Sequence, residues 1–371
     1  MKPVPHIKLA ANPLRRLSNW VQRHVVEQIL LRWPYQRMYR IVAGHIFFQT
    51  LSAAVELNLF SLIDSHKRLT REQIATALNC AEQPIRILLL GCTALGLLKK
   101  RGSHYSNTLL TSQLLLPTAD KTIVDVVRWQ HHVNYKGMFH FAEAIRANSN
   151  VGLQEFSGTG STLYQRLTHE PRLEQIFQDA MENISAQANQ MLVSNLDLRN
   201  VNYLLDVGGG NGANIVALAQ VFPQLRAAVL DSPSVCEIAR QNIAAQGLND
   251  RLTACSGDCF TDPFPEGIDV ILFAHFFTIW SEQRSRQLLR KCFAALPKGG
   301  AVVIFNMMQR DTEDGPLAAA MGSPYFLTLA TGEGMLYTWR EYQQWLREAG
   351  FQDLKSRALP RDHGVIIATK V

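Results

Sequence analysis

The chain has 371 residues, 47% of them hydrophobic and 18% charged, with a formal net charge of +6 at pH 7. That length and apolar content exclude a disordered polypeptide and predict two domains, or one domain with a large appendage. No apolar run reaches the roughly 18 residues of a membrane-crossing helix. The six cysteines (Cys80, Cys92, Cys236, Cys255, Cys259, Cys292) contain no CxxC pair, so neither disulfides nor structural zinc are expected and a reducing, cytoplasmic compartment fits.

The charge is concentrated at the start. Lys2, Lys8, Arg15, Arg16, Arg23, Arg32, Arg37 and Arg40 face Glu27 alone, which gives residues 1–40 a net +7 and leaves the remainder near neutral. Within this basic arm Leu14, Leu17, Val21, Val25 and Ile29 recur at three- and four-residue spacing, the pattern of an amphipathic helix. Such a helix docks on its own domain or on a partner subunit; a membrane-surface anchor and an organelle-targeting segment share the pattern. No cleavable secretory segment is evident.

Residues 41–63, IVAGHIFFQTLSAAVELNLFSLI, are apolar almost throughout and predict a buried helix followed by a short turn. A polar start, a short amphipathic helix, a break near Asn79, a second apolar helix and a basic segment with Gly102 then give the pattern of a winged helix. A DNA-binding version would use Arg86 and Lys99-Lys100-Arg101 on phosphates. The second helix, PIRILLLGCTALGLL, offers few polar side chains to base edges, which favours a core or dimer-forming module. Two longer helical stretches follow, VDVVRWQHHVNYKGMFHFAEAIR and PRLEQIFQDAMENISAQANQMLVSNL, on either side of the loop SGTGS.

At Asn202 the period changes. YLLDV, RAAVL, LTACS, DVILFAH and AVVIFN read as short strands separated by the amphipathic segments ANIVALAQVF and SVCEIARQNIAAQ. Strands alternating with helices predict an α/β, doubly wound and mostly parallel sheet.

Ligands of such sheets lie at the carboxyl ends of the strands, where Gly208, Gly209, Gly210 and Gly212 fill the turn after the first strand. A glycine fingerprint alone serves dinucleotides equally well. Here Asp206 ends the first strand; it would repel a pyrophosphate but accept hydrogen bonds from an ammonium, directly or through water. Asp231, nineteen residues after Gly212, ends the second and suits ribose hydroxyls; Asp258 follows the third and suits the adenine amine. Singly each acid reads as a cap or loop residue. Together the three match S-adenosylmethionine.

The run LLDVGGGNGANIVALAQVFPQLRAAVLDSPSV, the segment GDCFTDPFPEGIDVILFAHFF and the closing TWREYQQWLREAGF resemble the class I methyltransferases of the plant caffeate and bacterial polyketide O-methyltransferase type, and the resemblance spans residues 40–371. It implies a Rossmann-like methyltransferase domain at 196–371 preceded by the basic arm at 1–40, an all-helical winged-helix dimerisation domain at 41–118 and a helical linker at 119–195 that contributes to the acceptor pocket. It further implies a homodimer and a small aromatic or polyketide-like acceptor; the apolar second helix argues for no nucleic-acid partner, and the basic arm for at most weak surface association. Gly208, Gly210 and Gly212 would lie against the methionine part, Asp231 would hold the ribose, and Asp258, Cys259 and Phe260 would border the adenine. Ser185 falls near the cofactor carboxylate. Phe177 and Met181 fall where the family faces both cofactor and acceptor, with core packing as the alternative.

The family's base is a histidine just before Asp-Trp. FAHFFTIWSEQ places Thr278 there, and GEGMLYTWREY places Leu336 where the glutamate that orients the histidine belongs. A threonine hydroxyl accepts no proton usefully near neutrality. The candidate replacements are, in order, His131, His275 and His132. Trp129, Tyr135, Phe177, Met181, Tyr325, Phe326, Leu327 and Thr278 are the expected acceptor-pocket residues, and no HxE or HExxH pattern indicates a metal. O-methylation is the first expectation; C- or S-methylation stays open, because an activated carbon or a thioether needs less help from a base. The alternatives are a rearrangement, cyclisation or hydroxylation using the sulfonium charge as a fixed electrostatic element, and, more remotely, a winged-helix regulator that senses the cofactor.

Overall fold

A computed structural model describes residues 32–371, which divide into two compact units after Ala119. The expected amphipathic helix of the basic arm, residues 14–31, lies outside the described residues.

In the first unit, α1 (Arg32–Val42) leads into α2 (Gly44–Glu56) and α3 (Leu59–His66). The apolar run expected as one buried helix is therefore two, divided where Asn58 takes a left-handed φ of 53°. Only its second half reaches the core. Ala54, Val55, Leu59, Phe60 and Ile63 face inward, whereas Ile41 and Ile46 are 70% and 56% exposed. A helix turns an all-apolar run to every side, and the core can cover only one of them.

Next come β1 (Leu69–Thr70), α4 (Arg71–Ala77) with a Thr70–Gln73 capping box, α5 (Glu82–Ala94), β2 (Leu98–Arg101), β3 (His104–Asn107) and α6 (Leu109–Leu114). The predicted break is present, with Asn79 at φ 51°. The unit expected to be all helical carries a small antiparallel sheet, ordered β1-β3-β2, because the basic segment folds back on itself at Gly102. The outer face of α5 presents Ile87 and Leu90, 63% and 71% exposed. That apolar surface suits a protein partner better than DNA.

The second unit opens with helices. α7 (Val124–Trp129), a π-helical turn (Gln130–Asn134), α8 (Tyr135–Met138) and α9 (Phe141–Ala147) occupy the stretch expected as one helix. α10 (Leu163–Leu167) and the long α11 (Pro171–Asn195) follow. The sheet contains β4 (Tyr203–Val207), β5 (Arg226–Asp231), β6 (Leu252–Ser256), β7 (Val270–Ala274), β8 (Ala301–Met307), β9 (Gln352–Ala358) and β10 (His363–Thr369). Their order is β6-β5-β4-β7-β8-β10-β9, and only β10 runs against its neighbours.

Helices α12 (Ala213–Val221), α13 (Pro233–Ala245), α14 (Glu282–Ala295), α15 (Leu317–Tyr325) and α16 (Trp339–Glu348) complete the unit, with a second π-helical turn, Phe326–Ala330, after α15. One sheet face buries Leu205, Ile271 and Ile304 with Leu289 and Trp345; the other buries Leu204, Leu272 and Phe305 with Leu192 and Ile215. Strands covered on both faces read as the apolar runs seen in the sequence. The chain leaves β4 toward β5 on one side and returns to β7 on the other, so the switch point that opens a ligand crevice lies at the tips of β4 and β7. No single helix among the described residues is long and apolar enough to cross a membrane.

Candidate active site

The turn after β4 leaves little room for side chains beneath it and ample room above. Gly208, Gly210 and Gly212 have φ of 68°, 58° and 79°, the left-handed region that glycine enters without cost. A Cβ on Gly208 would lie 2.4 Å from the Phe276 ring, and one on Gly209 would lie 2.6 Å from Asp206 Oδ2. At Gly210 nothing lies within 4 Å of such an atom, so a ligand can press against bare backbone there.

Asp206 is fully buried beneath this turn. Its Oδ2 accepts a hydrogen bond from Asn214 Nδ2 at 3.0 Å and its Oδ1 has no partner. Burial pushes the carboxyl up to about 7, with Asn214 pulling it down and Asp231 adding to the rise. Expected as a partner for an ammonium, directly or through water, Asp206 lies enclosed under Gly209 with Oδ1 buried.

Asp231 is more open. Oδ2 accepts from the Gly210 amide at 3.1 Å and Oδ1 from the Ser232 amide at 2.7 Å, which orients the carboxylate at the strand tip. Burial raises its pKa, and those amides oppose the rise. The Asp231 carbonyl also accepts from the Gly257 amide at 3.0 Å, linking it to the next loop. In that loop Asp258 Oδ1 accepts from the Phe260 amide at 2.8 Å, and the Asp258 amide donates to Asp262 Oδ2 at 2.9 Å. Lys291 Nζ donates to the Cys259 carbonyl at 2.7 Å and also to that of Asp262. Burial pushes the Cys259 thiol up to about 12, so it is a packing group rather than a nucleophile. Open backbone at Gly210, an orphaned carboxylate oxygen below it and an oriented acid beside it fit an S-adenosyl group. Ser185 lies half-buried on α11.

The expected acceptor residues come together only in part. Trp129 and Tyr325 are buried in one cluster with Val133, Leu163 and Leu329, and Phe177, Met181 and Phe326 pack against its edge. The Trp129 and Tyr325 rings meet edge-on at 5.3 Å, and Tyr164 approaches Phe177 at 5.7 Å. Both π-helical turns feed this cluster; such widened turns recur at functional sites. Gly137 packs tightly here, since a Cβ there would lie 2.2 Å from Leu329. Tyr135 is 39% exposed and, like the half-buried Leu327, stands outside the cluster.

The histidines differ in setting. His131 and His132 are half-buried in the first π-helical turn with their rings edge-on at 4.6 Å, and His131 Nδ1 has no partner. His275 follows β7 with a left-handed φ of 55°. Its ring lies 5.2 Å from that of Phe305 and 5.1 Å from that of His363, with Nε2 enclosed and unpartnered. Burial, helped by His363, pushes His275 down to about 3, so it stays neutral and binds a proton weakly. Thr278 is buried; its hydroxyl donates to the His275 carbonyl at 3.2 Å, and its own carbonyl leaves no space for a Cβ on Gly334. Leu336 is equally buried, its amide donating to Ser323 Oγ at 3.1 Å. Neither Thr278 nor Leu336 therefore offers the base or the acid that the resemblance led one to expect at its position. Among the described residues no group of three or more His, Cys, Asp or Glu is arranged to hold a metal.

Residues 138–352 match the model of the O-methyltransferase domain, and residues 39–117 that of the O-methyltransferase dimerisation domain. The chain belongs to this O-methyltransferase family. It is similar to the L-tyrosine C(3)-methyltransferase of Streptomyces lavendulae, 42% identical over 334 residues, which cover 89% of this chain and 91% of the relative. With the 3-hydroxy-5-methyl-1-naphthoate 3-O-methyltransferase of Streptomyces sahachiroi it shares 32% identity over 324 residues, 87% of this chain and 91% of that one. Among solved structures, the apo form of the S-adenosylmethionine-dependent methyltransferase SibL superposes with a TM-score of 0.80 at 38% identity, covering 90% of this chain and 98% of the other.

Several residues of this O-methyltransferase-family site escaped the sequence reading. Asn214, which holds Asp206, is a polar residue one turn from the glycines in the mostly apolar ANIVALAQV, and that was a usable signal. Phe276 over Gly208 and Tyr164 beside Phe177 carried none, because both read as ordinary core aromatics.

Proposed function

We propose that this family member is a cytoplasmic, homodimeric S-adenosylmethionine-dependent methyltransferase that methylates a ring carbon of a small phenolic acceptor. The observation that carries the choice of carbon is Thr278, buried and hydrogen-bonded to main chain where the family places its base. O-methylation of a phenol benefits from a base for a group of pKa about 10. An electron-rich ring carbon instead attacks first and sheds its proton afterwards.

The bound cofactor supplies an electrophilic methyl group on a sulfonium. Gly210 lets it rest on backbone, Asp206 offers negative potential beneath its ammonium, Asp231 accepts from its ribose hydroxyls, and Asp258 with Phe260 borders its adenine. Trp129, Phe177, Met181 and Phe326 hold the aromatic ring in line, which is the main task in a direct displacement. His131 Nδ1 takes the ring proton after the new carbon–carbon bond has formed. The 42% identical relative, named for methylation at C3 of tyrosine, supports this reading. The naphthoate 3-O-methyltransferase supports the second reading, transfer to oxygen.

Incubation with S-adenosylmethionine carrying a 13C methyl group, and with tyrosine and related phenols as acceptors, tests the choice by NMR. An aryl-methyl product with equimolar S-adenosylhomocysteine supports carbon transfer, a methoxy product moves the assignment to oxygen, and turnover of an acceptor without S-adenosylhomocysteine refutes transfer altogether.

A further inference from the structure

Arg284 has no part in the roles assigned above, yet it touches Phe260 of the adenine border together with Trp280 and Glu333. It lies in the first turn of α14, where its amide donates to Ser281 Oγ at 3.5 Å. Its guanidinium carbon is 4.3 Å from the ring centroid of Phe260 and 4.3 Å from that of Trp280, and those two rings meet edge-on at 4.9 Å. Trp280 Nε1 is buried without a partner, so ring contacts rather than a hydrogen bond hold the indole.

On its other side, Arg284 Nη1 lies 3.6 Å from Glu333 Oε1. Glu333 adjoins Gly334, on which the Thr278 carbonyl sits, and lies two residues after Thr331, whose hydroxyl donates to the Ile279 carbonyl. Both partners of that ion pair are more than a third exposed, so the pair itself is weak and the ring contacts dominate.

We propose that Arg284 is a positioning residue for the adenine end of the cofactor. Its planar guanidinium fixes the Phe260 ring against Trp280 and thereby sets the shelf that borders the base. Lys291, two turns further along α14, holds the backbone of the same loop, so one helix face governs both the main chain and the ring of the shelf. A lysine at 284 would keep the charge but not the flat face that lies against both rings. The inference rests on the cofactor assignment made above.

Calorimetric titration of the full chain with S-adenosylhomocysteine and with S-inosylhomocysteine, which lacks the exocyclic amine, separates the two. Arg284→Met and Arg284→Lys are expected to bind S-adenosylhomocysteine about tenfold more weakly, equivalent to about 1.4 kcal/mol. Their preference for the adenosyl over the inosyl compound should shrink, and Arg284→Met should add less than its own loss when Phe260→Ala is already present. Should Arg284→Met fail to fold, Arg284→Lys carries the comparison. Wild-type affinity in the variants, or equal weakening toward both nucleosides, overturns the inference. Absence of binding to either compound by the unaltered chain overturns the cofactor assignment beneath it.

Discussion

Asp231 Oδ2 accepts a hydrogen bond from the Gly210 amide at 3.1 Å, which ties the tip of β5 to the glycine turn after β4. The carboxylate both orders the turn and remains available to ribose hydroxyls. Asp231→Asn cannot accept from Gly210 and Ser232 with both side-chain atoms, and should weaken S-adenosylhomocysteine binding by about 2–3 kcal/mol, measured by calorimetry. Unchanged affinity would remove Asp231 from the site.

Within the turn after β4, Gly208 is expected to be the least replaceable glycine. Its φ is 68°, and a Cβ there would lie 2.4 Å from the Phe276 ring, so a substitution meets backbone strain and a clash together. Gly208→Ala should cost about 1–3 kcal/mol in stability and abolish cofactor binding. Gly210→Ala, open above but also left-handed, should fold better while binding poorly. Denaturant unfolding and calorimetry on both variants check the contrast.

Asp206 makes the empty and loaded protein respond differently to pH. Its folded value of about 7 stands above the ordinary 3.8, so between those values the folded state holds a proton that the unfolded state has lost. Its contribution to stability is complete below the lower value and is lost as pH rises through the upper one; Asp231, also raised by burial, has the same sign. An ammonium above Asp206 favours the charged form, so cofactor binding at about pH 6 should release protons. Titrations in buffers of different ionisation enthalpy measure that release. Asp206→Asn should suppress it, weaken binding, and stabilise the empty protein above neutrality by on the order of 1 kcal/mol.

The two leading histidines should separate kinetically. His131→Ala is expected to lower kcat by roughly 10²- to 10⁴-fold, the usual contribution of a general base, with little change in cofactor affinity. His275, held near 3, should contribute no ionisation to the rate profile between about pH 5 and 9. Its depressed value contributes stability that is present above its ordinary 6.5 and lost as pH falls through the folded value, so acid unfolding rather than turnover should report it. A rate profile that loses an ionisation in His275→Ala would reverse the assignment.

In the first unit, Ile41 and Ile46 expose apolar surface on successive helices. Ile46→Asp should leave that unit folded and shift the chain from dimer to monomer at micromolar concentration, read by sedimentation velocity. A variant that remains dimeric would place the interface elsewhere.

The strands β4, β5, β7 and β8 were legible because strands covered on both faces are largely apolar, and the glycine turn because its acids stand at successive strand ends. β9 was not. QDLKSRA lies at the sheet edge and is mostly exposed, so its residues carry neither an apolar run nor a clean alternation. The π-helical turns were hidden as well, since one extra residue per turn barely disturbs an apolar period. The sequence placed His275 at a strand tip but could not show that a left-handed φ turns its ring toward Phe305 and His363. The half-exposed run 41–63 posed a different difficulty: composition reports how much apolar surface a helix has, and only a partner decides which side stays dry.

The most direct measurement is calorimetric titration of the purified full-length chain with S-adenosylhomocysteine, run beside NAD. Saturable binding of one S-adenosylhomocysteine per chain, lost in Asp231→Asn, is the predicted result. Uptake of NAD with no heat from S-adenosylhomocysteine would contradict it.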